Sequence, residues 1–173
     1  FFPSEGYLFR IATQIGEKNI PAQHTTNTRR KFFSDLELYW TVFSRQVFAF
    51  SFHTKDISGN ALDQSDLLRF GGLKTLRGYR ENIFLANRLV LTNIEYRFHI
   101  STTASLFQFA DAGYFSLPKI LPISTSQNEQ WKIGFGVGLR LQTAIGNIST
   151  SFAFGDGNSF SQANIHFGFA AGF

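Results

Sequence analysis

With 173 residues, a net charge of +4, no cysteine and four scattered histidines (24, 53, 99 and 166), the chain has the length of one domain, and disulfides, thiol chemistry and a ligand-spaced zinc cluster are excluded. Aromatic residues reach 17% and charged ones only 16%, yet no window approaches the roughly 18 uninterrupted apolar residues of a transmembrane helix, and no cleavable signal is recognisable. The basic residues are dispersed, with only Arg29-Arg30-Lys31 contiguous, so there is no stripe for nucleic acid and the positive excess is assigned to loops facing water or anionic lipid.

The predicted elements all have period two. Gly6 to Gly16 opens the series, followed by Phe32 to Phe43, with Leu36, Leu38, Trp40 and Val42 on one face and Asp35, Glu37 and Tyr39 on the other. Gln46 to Thr54 sets Phe48, Phe50 and Phe52 against Ala49, Ser51 and His53. A long connection, Asp56 to Asn87, then carries GGLKTLRGYRE, Gly71 to Glu81. Its glycines permit backbone conformations closed to other residues, while Leu73, Leu76 and Tyr79 are apolar enough to need cover, so the loop is expected to fold against something. Beyond it, Arg88 to Ile100 sets Val90, Ile94, Tyr96 and Phe98 against Asn93, Glu95, Arg97 and His99. Ala104 to Tyr114 breaks the rule, because Phe107 and Phe109 share a face with Asp111. Either Asp111 points outward, or the phenylalanines point inward, or a bulge switches faces between them. Trp131 to Leu141 resumes the alternation, with Gly134, Gly136, Gly138 and Arg140 on the polar face; these glycines are expected to leave room on an inner wall, for the folded loop among other things. Gly146 to Phe154 and Ile165 to the C-terminus complete the set, the latter with Phe167, Phe169 and Phe173 on its apolar face.

Eight strands of this kind could form a soluble sandwich, but their second faces carry glycines and isolated ionisable groups instead of the many charges that meet water. The heavy apolar face suits lipid, and the predicted fold class is an all-β, antiparallel, eight-stranded transmembrane barrel forming one domain over 1–173. Alternation of short links with long connections (Glu17 to Lys31, Asp56 to Asn87, Phe115 to Gln130, Gly155 to Ser161) fits tight turns at one membrane face and loops at the other.

The string Gly71-Gly72-x-x-x-Leu76-Arg77-Gly78-Tyr79 resembles the arginine-glycine-aromatic loop motif of the outer-membrane insertase and transporter superfamily, which includes BamA-type assembly barrels and two-partner secretion transporters. Asn93-Ile94-Glu95-Tyr96-Arg97 resembles the acidic strand that follows that loop, Phe109-Ala110-Asp111-Ala112-Gly113 the Phe-x-Asp-x-Gly of the next, and the terminal alternation ending at Phe173 the signal read by the assembly machinery. Three strands before the loop and five after match the second half of that family's barrel. The resemblance implies an integral outer-membrane protein whose loop folds into the lumen. Arg77 would there pair with Glu95 and Asp111, removal of the arginine costing about 3–5 kcal/mol if the site is buried. It implies outer-membrane lipids and, through Phe167, Phe169 and Phe173, the assembly machinery as partners, and no cofactor. The family's soluble modules and first barrel half are not recognisable in these residues, and a start at Phe1 without any Met fits a processed protein or an excised piece. Closure as an eight-stranded monomer and pairing of two copies through their barrel edges both remain open.

Two other classes compete. His99 and Ser101 lie on one face and faintly resemble the His-x-Ser of lipid A deacylases, without an orienting acid nearby; His53 with Asp56 and Ser58 is a weaker set. A structural or porin-like barrel is the other. Gly134-x-Gly136-x-Gly138 lacks the spacing of a nucleotide loop and lies inside a strand.

Overall fold

The computed structural model describes residues 3–20, 25–59, 62–119, 128–157 and 162–171. Among these, ten strands follow in chain order: β1 (Gly6–Ile20), β2 (Thr25–Phe43), β3 (Gln46–Gly59), β4 (Leu68–Phe70), β5 (Phe84–Ala86), β6 (Arg88–His99), β7 (Ala104–Leu117), β8 (Asn128–Thr143), β9 (Gly146–Gly155) and β10 (Asn164–Ala171). Eight of them form one antiparallel sheet in the order β1-β2-β3-β6-β7-β8-β9-β10, while β4 and β5 make a separate two-stranded ribbon within the long connection. Among the described residues, β1 pairs only with β2 and β10 only with β9, so the sheet has two free edges and no closing pair is seen.

Several strands outrun the lengths predicted for them. The expected connection Glu17 to Lys31 is largely strand, since β1 continues to Ile20 and β2 starts at Thr25, with Gly16 opposite Arg29 and Lys18 opposite Asn27. β3 likewise runs on to Gly59, β7 to Leu117, and β8 begins at Asn128. Except in β7, whose added Phe115, Ser116 and Leu117 still alternate, these extensions keep their ladder hydrogen bonds but carry polar residues on both faces, so no alternation marks them. The expected connection Gly155 to Ser161 lies partly outside the described residues.

The two faces of the sheet differ as the alternation requires. One is solvent-open and apolar: Tyr7 is 81% exposed, Ile15 76%, Phe167 70% and Trp131 68%. So large an exposed apolar surface is not tolerated in water and suits a hydrocarbon environment. On the other face Val47, Ala49, Leu89, Leu91, Glu95, Arg97, Phe107, Phe109 and Asp111 are all buried. While Arg97 is met by Tyr39 and Phe107 by Arg140, much of this face is covered by the long connection. Its ribbon and loop contribute Phe70, Leu76 and Ala86 to a cluster with Leu89 and Leu91 of β6 and Phe115 of β7, with Leu68, Tyr79 and Phe84 packed against it. Phe70 meets Phe115 edge-on with ring centroids 4.9 Å apart. The connection is also tied at its start, where Lys18 of β1 donates to Asp63 and Arg29 of β2 pairs with Asp66 at 2.7 Å. The hydrogen bond from the Lys18 ammonium holds the Asp63 carboxyl well below the usual carboxylate range.

Candidate functional site

The site is built around Arg77, whose guanidinium is met by carboxylates from two adjacent strands. Arg77 Nε and Nη2 donate to Asp111 Oδ2 and Oδ1 at 2.7 and 2.6 Å, a two-point fork, and its backbone N–H donates to Oδ2 at 3.0 Å. Nη1 donates to Glu95 Oε1 at 2.5 Å. Asp111 is 1% exposed and Arg77 4%, so this ion pair has almost no contact with solvent. Glu95 is shared further: Arg140 of β8 donates to both its oxygens at 2.8 and 2.9 Å, and Arg97 of β6 donates to Oε2 at 2.8 Å. Three guanidiniums thus converge on two carboxylates. Glu95 and Asp111 lie two residues out of register on β6 and β7 and so share a face, with Asn93 directly opposite Asp111 and Phe109 opposite Glu95.

The ambiguity at Phe107 and Phe109 resolves in favour of inward phenylalanines. β7 pairs with β6 and β8 without any register shift, so no bulge intervenes, and Phe107, Phe109 and Asp111 all point to the covered face. Opposite them on β8 stand Gly138, Gly136 and Gly134 respectively. A Cβ at Gly138 would lie 2.3 Å from Phe107 Cζ, one at Gly136 2.9 Å from Phe109 Cζ, and one at Gly134 1.8 Å from the Arg77 carbonyl oxygen. The three glycines are the space into which two aromatic rings and the loop backbone fit. The rings in turn carry charge: the Arg77 guanidinium lies 3.7 Å from the Phe109 centroid and that of Arg140 4.3 Å from Phe107.

The rest of the loop is fastened residue by residue. Asn93 Nδ2 donates to the Thr75 carbonyl at 3.0 Å, and the Leu73 N–H donates to Glu81 Oε1 at 2.7 Å. Gly78 has φ of 91° and comes so close to β9 that a Cβ there would lie 2.3 Å from the Phe154 carbonyl, which leaves no other residue type free of strain. The Gly78 N–H donates to His166 Nε2 at 3.1 Å, and its carbonyl accepts from Asn164 Nδ2 at 2.8 Å. Tyr79 donates to the Ile133 carbonyl at 2.9 Å and accepts from the Asp156 N–H at 2.8 Å, and burial raises its phenol above the ordinary value. Gly71 and Gly72 complete the turn, with the Gly71 N–H donating to Thr75 Oγ1 and the Gly72 N–H to the Leu76 carbonyl.

These contacts fix the shape of the sheet. On a flat sheet β6 and β10 lie four strand spacings, roughly 19 Å, apart. Yet consecutive loop residues reach both, Arg77 to Glu95 on β6 and Gly78 to His166 on β10. The strands must therefore curl around the loop, with its motif against five of them in succession.

Sequence reasoning names Arg77, Glu95, Asp111, the loop residues and the three wall glycines, and the structure brings these together. It does not assign Arg97, Arg140, Asn93, Asn164, His166 or Glu81 to the site. Of these, all but Glu81 sit on the polar faces of their strands, a signal that marks them as inward without telling which partner each meets. Phe167 and Phe169 stand exposed on the apolar face of β10, away from this cluster, and Phe173 lies outside the described residues. The Ser101 hydroxyl accepts from the Thr103 N–H at 3.2 Å within the turn after β6, as a capping turn residue does. His53 pairs with Asp35 at 2.8 Å, while Asp56 pairs with Arg88, so His53, Asp56 and Ser58 do not assemble as a set. No group of metal-binding side chains occurs among the described residues.

The family description "Omp85 superfamily domain" matches residues 1–173. No curated protein matches the chain. Among solved structures, BamA from Haemophilus ducreyi lacking POTRA domains 1–3 aligns with a TM-score of 0.70 at 16% identity, over 98% of this chain and 38% of that one. The chain therefore has the fold of part of that barrel and spans well under half of its length.

Proposed function

Because the chain belongs to the Omp85 superfamily over residues 1–173, we propose that it is an integral outer-membrane β-barrel unit related to the superfamily's insertases and transporters, acting in outer-membrane biogenesis. The observation that carries this reading is the loop seated on the covered face through Arg77, Asp111 and Glu95, combined with an opposite face of exposed aromatic and aliphatic residues. In this reading residues 1–173 act as one domain and the covered face lines a lumen. GGLKTLRGYRE is a built-in plug, the arginine network its lock, and Gly134, Gly136 and Gly138 its seat. Such a filled wall argues against free passage through this half alone. What an Omp85-type wall offers a client is its edge, and the edges of β1 and β10, free among the described residues, would take an incoming strand, a preceding barrel half or a second copy of the chain.

Outer-membrane lipids are the proposed partners of the apolar face. Phe167, Phe169 and Phe173 are the proposed contact for the machinery that assembles the protein itself. The role is non-enzymatic in this reading, in keeping with the insertases and transporters of the superfamily.

Reconstitution tests the proposal. Vesicles carrying the chain should fold an unfolded outer-membrane barrel protein faster than empty vesicles, and Arg77→Ala should lose that gain. Identical folding rates in empty and loaded vesicles would refute the biogenesis role. A small stable conductance that rises on deletion of Gly71 to Glu81, without any effect on client folding, would instead establish a porin-like barrel.

A further inference from the structure

Gly78 is gripped on both sides by one strand. Its N–H and carbonyl are held by His166 and Asn164, which stand two residues apart on β10 and so share a face. β10 is an edge, joined to the sheet by β9 alone among the described residues, and the loop is its second attachment.

The two grips differ in chemistry. Asn164 donates an amide N–H at any pH. A ring nitrogen can accept an N–H only when unprotonated, so the bond from Gly78 requires neutral His166. An imidazolium would set one donor against another and add positive charge beside Arg77. The charged groups facing His166 are Arg77 and Glu81 from the loop and Asp111 from β7, while β9 places the neutral Ser151 opposite it. Both carboxylates are already engaged, Asp111 by three bonds from Arg77 and Glu81 by the Leu73 N–H. Neither is free to take up the new charge without giving up a present partner.

We infer that His166, seconded by Asn164, is a proton-sensitive latch that fastens the plug loop to the edge strand: neutral, it holds Gly78 against β10; protonated, it lets go while the Arg77–Asp111 pair stays closed. Imidazole is the side chain that takes up a proton on acidification from neutral pH, so acidification removes the His166 grip and leaves β10 held to Gly78 by Asn164 alone, without dismantling the arginine network. His166 is a positioning residue in this scheme. The inference rests on the seated-loop reading given above and adds to it the control of one edge.

Hydrogen exchange of individual amides in the chain reconstituted in lipid, at about pH 7.5 and about pH 5, tests the latch, with protection corrected for the intrinsic pH dependence of exchange. The Gly78 amide should lose about five- to tenfold in protection at the lower pH, the scale of one lost hydrogen bond, while the neighbouring Arg77 amide, held by Asp111, keeps its own. His166→Gln, whose side-chain oxygen can accept at either pH, should abolish the difference. Equal protection of Gly78 at both pH values would overturn the latch and leave the seated loop standing. An unprotected Gly78 and Arg77 at the higher pH would overturn both. The wild-type comparison needs no variant to fold.

Discussion

A single methyl group at Gly134 discriminates between a seated loop and a free one, because the two cases give opposite signs. In an open strand, Gly→Ala is neutral or stabilising by about 0.4–1 kcal/mol, since the unfolded chain loses freedom. Here the added Cβ would stand 1.8 Å from the Arg77 carbonyl oxygen, where contacts below 3.0 Å essentially never occur, so the loop backbone must retreat by more than about 1 Å. That retreat acts on the residue whose N–H and guanidinium bond Asp111 at 2.6 to 3.0 Å. Overpacking costs about 1–3 kcal/mol and each weakened charge-assisted bond about 1.5–3 kcal/mol if lost, so Gly134→Ala should destabilise by about 2–4 kcal/mol after partial relaxation. Urea unfolding in lipid vesicles, followed by tryptophan fluorescence, measures it. Gly16→Ala, where a Cβ meets nothing within 4 Å, is the control and should change stability by less than about 1 kcal/mol. In a variant lacking Gly71 to Glu81, Gly134→Ala should become neutral or stabilising. If Gly134→Ala matched Gly16→Ala in the full chain, the loop would not occupy that wall.

Two further substitutions rank the parts of the network. Glu95→Gln leaves Arg77, Arg97 and Arg140 without their common counter-charge and should cost about 3–5 kcal/mol in the same unfolding assay. Phe109→Leu removes the ring 3.7 Å from the Arg77 guanidinium and should cost less, about 1–2 kcal/mol, by loss of the cation–π contact and a small void; a larger cost for Phe109→Leu than for Glu95→Gln would invert the proposed order of contributions.

How far the sequence can be read depends on what surrounds each strand. Where one face meets an apolar environment, as from Trp131 to Leu141, the period of two is enforced at every position and the strand is legible. Where β2 runs on through Thr25 to Lys31, neither face is so constrained, and continuous pairing leaves no pattern to see. β4 and β5 are three residues each, too short for any period, and depend on Phe70 and Phe84 packing against Phe115. Inward Phe107 and Phe109 are opaque within their own strand. They make sense only beside Gly138 and Gly136, partners fixed by a register that one strand alone does not reveal. The Arg77 cluster was half legible for the same reason. Glu95 and Asp111 follow from a recurring motif, whereas Arg140 and His166 join through the curling of the sheet, which brings β8 and β10 to a loop that leaves from β3.

The central claim is that Arg77 and Asp111 form a buried pair that seats the loop, and a double-mutant cycle with Arg77→Met and Asp111→Asn measures that pair directly. Unfolding of the four species in lipid should give a coupling energy of at least about 2 kcal/mol, with the double variant less destabilised than the sum of the single ones. A coupling within about 0.5 kcal/mol of zero would mean that the two side chains do not meet in the folded protein, and the seated loop would have to be abandoned.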